Sequence, residues 1–207
     1  MLKIYGSNTF NAAKVVMTAE ETGMEYEYIE LNFSKGEHKA PAHMARHPLG
    51  KVPAIEHDGR TIFESNVICR YLGEVSGSPL YPRDIGERVV VDEWIDMMGY
   101  HAGRWLSVFY FQEYIKKLFF KQDPDPAALD EARGFLDAQL PVLDQHLGRQ
   151  GYFAGDKYTI ADIIAFCYVQ THEKSSVTID GYPNLDKWYA GINGRPSVAA
   201  VRKHIAT

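Results

Sequence analysis

Val52-Pro53-Ala54-Ile55-Glu56-His57-Asp58-Gly59-Arg60-Thr61-Ile62-Phe63-Glu64-Ser65 is the stretch on which the reading of the first half of the chain turns. Ala54–His57 and Arg60–Phe63 flank Asp58-Gly59, a dipeptide suited to the two positive-φ positions of a tight hairpin turn. Behind the hairpin a helix is expected, with Val67, Ile68, Tyr71, Leu72 and Val75 on its apolar face. Ahead of it, Leu2–Tyr5 reads as a short strand broken by Gly6-Ser7-Asn8-Thr9. Ala12, Val15, Val16 and Ala19 then recur at helical spacing as far as Gly23, and Tyr26–Leu31 is a second strand. Strand, helix and strand in so few residues imply a right-handed parallel crossover. With a short helix over Pro41–His47, the order is βαβ then αββα, a small mixed sheet with helices on both faces.

Helix breakers crowd Ser76-Gly77-Ser78-Pro79-Leu80-Tyr81-Pro82, and beyond them every long segment has helical periodicity. The expected organisation is an α/β domain over residues 1–77, a linker over 78–84 and an all-α helical bundle domain over 85–207. Asp84 and Glu87 have capping-box spacing, and Val90, Trp94, Met97, Met98, His101 and Trp105 continue an apolar face. Asp123-Pro124-Asp125-Pro126 caps a further helix through Leu129, Phe135, Leu136, Leu140 and Leu147, which Pro141 is expected to kink or shorten. Thr159-Ile160-Ala161-Asp162 is a second capping box, with Tyr158 and Ile163 as a hydrophobic staple. Two short helices, Leu185–Ile192 and Pro196–Ile205, end the chain.

Composition narrows the function classes. The 207 residues carry 22 Lys plus Arg against 27 Asp plus Glu, a net charge of -5, which disfavours nucleic acid and anionic membrane as partners. No apolar run approaches the roughly 20 residues that span a bilayer. The N-terminus runs straight into a strand with no signal-peptide pattern, so a cytoplasmic protein is expected. Cys69 and Cys167 are too few for a disulfide framework and fall on apolar stretches as inert core residues. His43 and His47 have i, i+4 spacing, but no third ligand stands at motif spacing, so no metal is expected.

Three loops can carry chemistry. A hydroxyl in Ser7-Asn8-Thr9-Phe10-Asn11 can cap the following helix, or the helix N-terminus there can hold an anion or thiolate. Val52-Pro53 marks either a strand start or a cis bond that turns the Val52 backbone toward an extended peptide. Ser65 is either an N-cap or, with Glu64, a seat for a ligand carboxylate and ammonium. Each lies where α/β folds place ligands.

Together with Gly36-Glu37-His38-Lys39 and Leu49-Gly50-Lys51, these pieces resemble the thiol-peptide site of cytosolic glutathione transferases. The resemblance runs on through Ile68-Cys69-Arg70-Tyr71-Leu72, Tyr158-Thr159-Ile160-Ala161-Asp162, Tyr182-Pro183-Asn184-Leu185, Trp188 and Arg195-Pro196. It implies a thioredoxin-like first domain, glutathione as co-substrate and a homodimer. It implies that Val52 pairs its backbone with the cysteinyl unit beside a cis Pro53, that Glu64 and Ser65 hold the γ-glutamyl end, and that His38 and Lys39 reach the glycyl carboxylate, as in the phi class, with Lys51 in support. Thr9-Phe10-Asn11 followed by Lys14 is similar to bacterial nu-class members, so the thiolate donor is expected to be Thr9, then Asn11, then Ser7. The electrophile is expected against Phe10 and the first helices of the second domain, at Tyr100, His101, Arg104, Trp105, Val108 and Phe109, although an aromatic stripe at this spacing also serves as core. Conjugation of the thiolate to small hydrophobic electrophiles is the activity implied. The rivals are glutathione-dependent reduction of disulfides or peroxides, and a non-catalytic scaffold that retains the fold.

Overall fold

The computed structural model describes residues 1–205. It forms two compact units, Met1–Asp84 joined by the segment from Gly194 onward, and Ile85–Asn193.

The first unit holds a four-stranded sheet of β1 (Leu2–Gly6), β2 (Tyr26–Glu30), β3 (Ala54–His57) and β4 (Arg60–Phe63), in the order β2-β1-β3-β4. β1 and β2 are parallel, as the compact crossover requires, while β1–β3 and β3–β4 are antiparallel. Asp58 (φ 47°) and Gly59 (φ 74°) make the hairpin turn with the positive dihedrals expected of that dipeptide. α1 (Phe10–Thr22) starts at the N-cap Thr9 and stops at Gly23, and α3 (Ser65–Val75) packs against it. The inward face of α3 is Ser65, Ile68, Cys69 and Leu72; Val67 and Val75, expected on that face, are exposed, Val67 on the far side of the helix and Val75 on its flank. The helix expected over 41–47 is shorter, α2 (Pro41–Met44), and two 3-10 turns, Phe33–Lys35 and Glu37–Lys39, precede it.

The chain returns to this unit at its end. α9 (Pro196–His204) packs on α1, and Arg195 donates to Glu21 through Nε and Nη2 at 2.6 and 2.7 Å while Ser197 Oγ bonds the same carboxylate. Burial opposes ionisation of Glu21, but these bonds hold its carboxyl below the usual carboxylate range. The helical domain expected over 85–207 therefore ends, as a compact unit, at Asn193. The segment expected to be a linker is docked, with Tyr81 buried and its Cβ over Gly73.

The second unit contains α4 (Ile85–Tyr100), α5 (Ala102–Phe109), a π-helix (Tyr110–Phe120), α6 (Pro126–Arg149), α7 (Ile160–Val169) and α8 (Pro183–Asn193). The buried face of α4 is Val91, Ile95 and Met98, one residue on from the expected Val90. His101 breaks the run into α5, where a Cβ on Gly103 would lie 2.4 Å from the Met98 carbonyl and 2.6 Å from the Tyr168 ring. α6 continues through Pro141 for 24 residues instead of being shortened. α7 is the core of this unit, buried throughout except at Tyr168. Its capping box is complete: Asp162 accepts from the backbone N–H groups of Thr159 and Phe153 and from Trp188 Nε1, each at 3.0 Å, and Thr159 Oγ1 lies 3.3 Å away. Burial pushes this carboxyl up to about 6, while the bonds it accepts favour its charged form.

Replacing Asp162 by Ala strands three buried donors, each worth about 1–3 kcal/mol when unsatisfied. The expected loss is at least about 3 kcal/mol of unfolding free energy, to be measured by urea denaturation.

Candidate functional site

The site is assembled from helix starts and from the loops that precede β3 and follow β2. Thr9, with φ -142° and ψ 146°, caps α1, and its Oγ1 accepts from the Ala12 N–H at 3.2 Å. The capping and anion-holding readings of this turn are thus compatible, because accepting that bond leaves the hydroxyl hydrogen to donate elsewhere. Asn11, in the first turn of the helix, accepts at Oδ1 from Ser65 Oγ at 3.3 Å and from Lys14 Nζ at 2.9 Å. Ser7 is buried, and its carbonyl accepts from the Thr9 N–H at 2.7 Å and from the Tyr28 hydroxyl at 3.3 Å. Phe10 is half-buried beside them. Tyr5 is turned away: its hydroxyl donates to Glu56 Oε2 at 2.9 Å, Arg46 lies 3.9 Å from its ring centroid, and burial with Glu56 raises its pKa.

At the start of α3 the N-cap is Glu64, and Ser65 is the first helical residue, one position later than a capping serine. Glu64 has φ 70° and ψ 110°, the left-handed half of the map for a residue with a Cβ, and its side chain makes no cap bond. Such backbone strain persists only where the surroundings fix it, and it concentrates at functional sites. Of this pair Glu64 is exposed and Ser65 buried.

The Val52–Pro53 peptide bond is cis, and Val52 lies just outside the ladder, which begins at Ala54 opposite Tyr5. The loop before it is pinned to the 3-10 turn at 37–39. Lys39 Nζ donates to the Leu49 carbonyl at 2.7 Å, and His43 Nε2 lies 2.7 Å from the Lys51 carbonyl. The His38 ring lies 4.5 Å from that of Phe33, tilted by 48°, and its buried Nδ1 has no hydrogen-bond partner. Burial first, then the charges of Lys39, His43 and Lys51, hold the His38 pKa below the usual histidine value. Lys39 and Lys51 are exposed. A Cβ at Gly50 (φ 57°) would lie 2.5 Å from the His38 carbonyl and 2.8 Å from Met44 Sδ. Sequence reading did not single out Gly50 for this close approach. It also missed His47, whose Nδ1 accepts from the Leu49 N–H at 3.2 Å, leaving Nε2 directed toward Glu64 Oε1 at 4.0 Å.

The residues expected to face an electrophile divide by burial. Trp105 stacks on Phe135 at 4.2 Å and Phe109 lies under Arg133 at 4.5 Å, both in the packing of the helical unit. Tyr100, His101 and Arg104 are exposed and Val108 is half-buried. Cys69 is buried, and burial pushes its thiol up to about 11, which removes it as a nucleophile near neutral pH. Among the described residues no group of three His, Cys, Asp or Glu could hold a metal ion, and no helix is long and apolar enough to cross a membrane.

Gly50→Ala combines an unfavourable φ with a backbone clash, so a loss of about 1–3 kcal/mol is expected. Thermal unfolding of the variant reads that loss, and a stability within about 0.5 kcal/mol of wild type contradicts the packing described.

Residues 2–74 match the family model for the glutathione S-transferase N-terminal domain, and residues 104–196 match that for the C-terminal domain. A probable glutathione S-transferase of Oryza sativa subsp. japonica is 34% identical over 202 residues, covering 95% of this chain and 93% of its own length. Glutathione S-transferase 1 of Zea mays is 31% identical over 206 residues, with 97% and 95% covered. The solved structure of glutathione S-transferase I from maize in complex with an atrazine glutathione conjugate superposes with a TM-score of 0.89 at 30% identity, covering 99% of this chain and 98% of that one. With both halves matched and the fold shared along nearly its whole length, the chain belongs to the glutathione S-transferase family.

Proposed function

We propose that the protein joins glutathione to small hydrophobic electrophiles, with the thiol held at the start of α1 and the γ-glutamyl end at the start of α3. The observation that carries this reading is the bond from Ser65 Oγ to Asn11 Oδ1 at 3.3 Å, which joins the two helix starts into one site. Glu64 takes the ligand ammonium, and the free backbone N–H groups at the start of α3, beginning with that of Ser65, take its α-carboxylate. The Val52 backbone pairs with the cysteinyl unit beside cis Pro53, and His38, Lys39 and Lys51 face the glycyl carboxylate. The maize structure with a bound atrazine glutathione conjugate supports conjugation as the reaction type.

A thiol of pKa about 8.5 must fall by about two units to be largely ionised at neutral pH, or about 2.7 kcal/mol. One hydrogen bond to a charged group is worth about 1.5–3 kcal/mol. A helix N-terminus adds about 0.3–1 kcal/mol. The Thr9 hydroxyl and the end of α1 are therefore sufficient, with Asn11 a second donor and Ser7 behind them. The thiol proton leaves to water, and the thiolate attacks an electrophilic carbon. A carbon–sulfur bond then forms as the leaving group departs with its electron pair. Phe10 is the proposed contact for the acceptor on the first unit. Within the helical unit taken by itself, Tyr100, His101, Arg104 and Val108 are the proposed acceptor-facing residues, with Trp105 and Phe109 as their packing support.

A homodimer is proposed, supported by exposed Met44, Leu49, Phe63 and Val67 on the first unit and Ile85, Val89 and Val90 on α4. A cytoplasmic location is proposed on the support of two free buried cysteines, which suit a reducing compartment.

Thr9→Ala is expected to raise the pH at which bound glutathione ionises by at least about one unit, with Thr9→Ser restoring it. Thiolate absorbance across pH measures this, and an unchanged midpoint removes Thr9 from the mechanism. Product analysis separates a thioether from oxidised glutathione, the outcome that favours a reductase. Light scattering is expected to give twice the chain mass of 23.4 kDa, and the chain mass alone contradicts the dimer.

A further inference from the structure

Lys14 is among the largest fully buried side chains, with none of its surface exposed, and the chemistry above makes no use of it. An ammonium is rarely taken into a protein interior unless its protons are bonded. Lys14 Nζ donates to Asn11 Oδ1 at 2.9 Å and to Asn66 Oδ1 at 3.3 Å, and it lies 5.3 Å from the Phe10 ring centroid. An ammonium has only donors to give, so the amide atoms it touches must be oxygens. The orientation of both asparagine amides is therefore fixed chemically. Ser65 Oγ gives the same Asn11 oxygen a second donor. With both lone pairs of that oxygen engaged, Asn11 has only its NH2 to offer a ligand. Asn66 follows Ser65 in the first turn of α3, so one ammonium ties the start of α1 to the start of α3 across 52 positions of chain.

We infer that Lys14 is a positioning residue of the transferase, whose buried ammonium holds Asn11 with its NH2 turned toward the glutathione sulfur and lends positive charge to the start of α1. The inference rests on the reading of Thr9 and Asn11 given above. A neutral donor at position 14 could orient the amide, but only a cation adds a direct Coulombic preference for the thiolate over the thiol. Cys69 is a titratable neighbour on α3, and burial keeps it protonated despite Lys14 and Arg70, so it brings no negative charge to the ammonium. Position 14 lies beneath the site, so its substitution need not remove a ligand contact.

The experiment is the thiolate titration of bound glutathione in wild type, Lys14→Met, Lys14→Gln and Lys14→Arg. Lys14→Met removes both donor and charge and is expected to raise the ionisation midpoint by about one pH unit, roughly tenfold less thiolate at a fixed pH below it. kcat/KM should fall by the same factor while glutathione affinity changes little. Lys14→Gln keeps a donor and loses the charge; it is expected to show a smaller rise, and it carries the test if Lys14→Met does not fold. Lys14→Arg is expected to keep the wild-type midpoint. In an Asn11→Ala background, Lys14→Met should add less than it does alone, because part of its effect passes through Asn11. An ionisation midpoint that stays at the wild-type value in folded Lys14→Met, or in Lys14→Gln where Lys14→Met does not fold, overturns this inference alone. Wild-type protein that binds glutathione without lowering its thiol pKa overturns the thiolate reading, and this inference with it.

Discussion

Every α-helix begins with N–H groups that none of its own carbonyls can reach. In the first unit two such beginnings, at Phe10 and Ser65, are brought together by the packing of α1 on α3. The small residues Ala12 and Ala19, with Val15 and Val16, are fully buried along α1, and Ile68, Cys69 and Leu72 along α3. Their burial sets which turn of each helix meets the other, and hence where the unpaired donors collect. The polar atoms at the two helix starts are then spoken for in a fixed pattern. Thr9 caps its own helix, Ser65 and Lys14 share the Asn11 oxygen, and Asn66 closes the other side.

The electrostatics of the site are local and run against the charge of the whole chain. A net charge of -5 describes the surface at a distance, whereas Lys39 and Lys51 stand close to one loop and Lys14 lies beneath the helix starts. The cost of crowding cations appears at His38, which burial and its charged neighbours keep from taking a proton readily. Burial and these neighbours together keep the imidazole from adding its charge to that of the two exposed lysines.

Much of this was legible in the sequence because the signals are short and local. Asp58-Gly59, Gly23 and Thr159 through Asp162 each act within four residues, and the structure has the turn, the helix stop and the capping box where those residues stand. Failures came where a long-range contact overrode local pattern. Val67 and Val75 look apolar-facing by periodicity, but the partner of α3 meets Ile68, Cys69 and Leu72 instead. Pro141 should interrupt a helix by its missing N–H, yet α6 runs on through it. Lys14 enters the sequence reading only as the residue that follows Thr9-Phe10-Asn11 in the resemblance, because its partners Asn11 and Asn66 identify themselves only when α3 folds back on α1. The phase of an aromatic stripe says which side of a helix is apolar, and does not separate a packed Trp105 from an exposed Tyr100.

The clasp between Glu21 and the pair Arg195 and Ser197 has a bearing on the order in which the protein can be completed. Synthesis proceeds from the N-terminus, and a domain ordinarily folds once its own residues have emerged. Here Met1–Asp84 emerges long before α9, the helix that covers one side of α1. Until α9 emerges, Glu21 lacks its guanidinium partner, and the apolar flank that receives Val198 and Val201 stays open. The helical unit is therefore made during an interval in which its predecessor is still unfinished. The nascent chain must carry an exposed flank of α1 through that interval, until α9 has emerged to cover it.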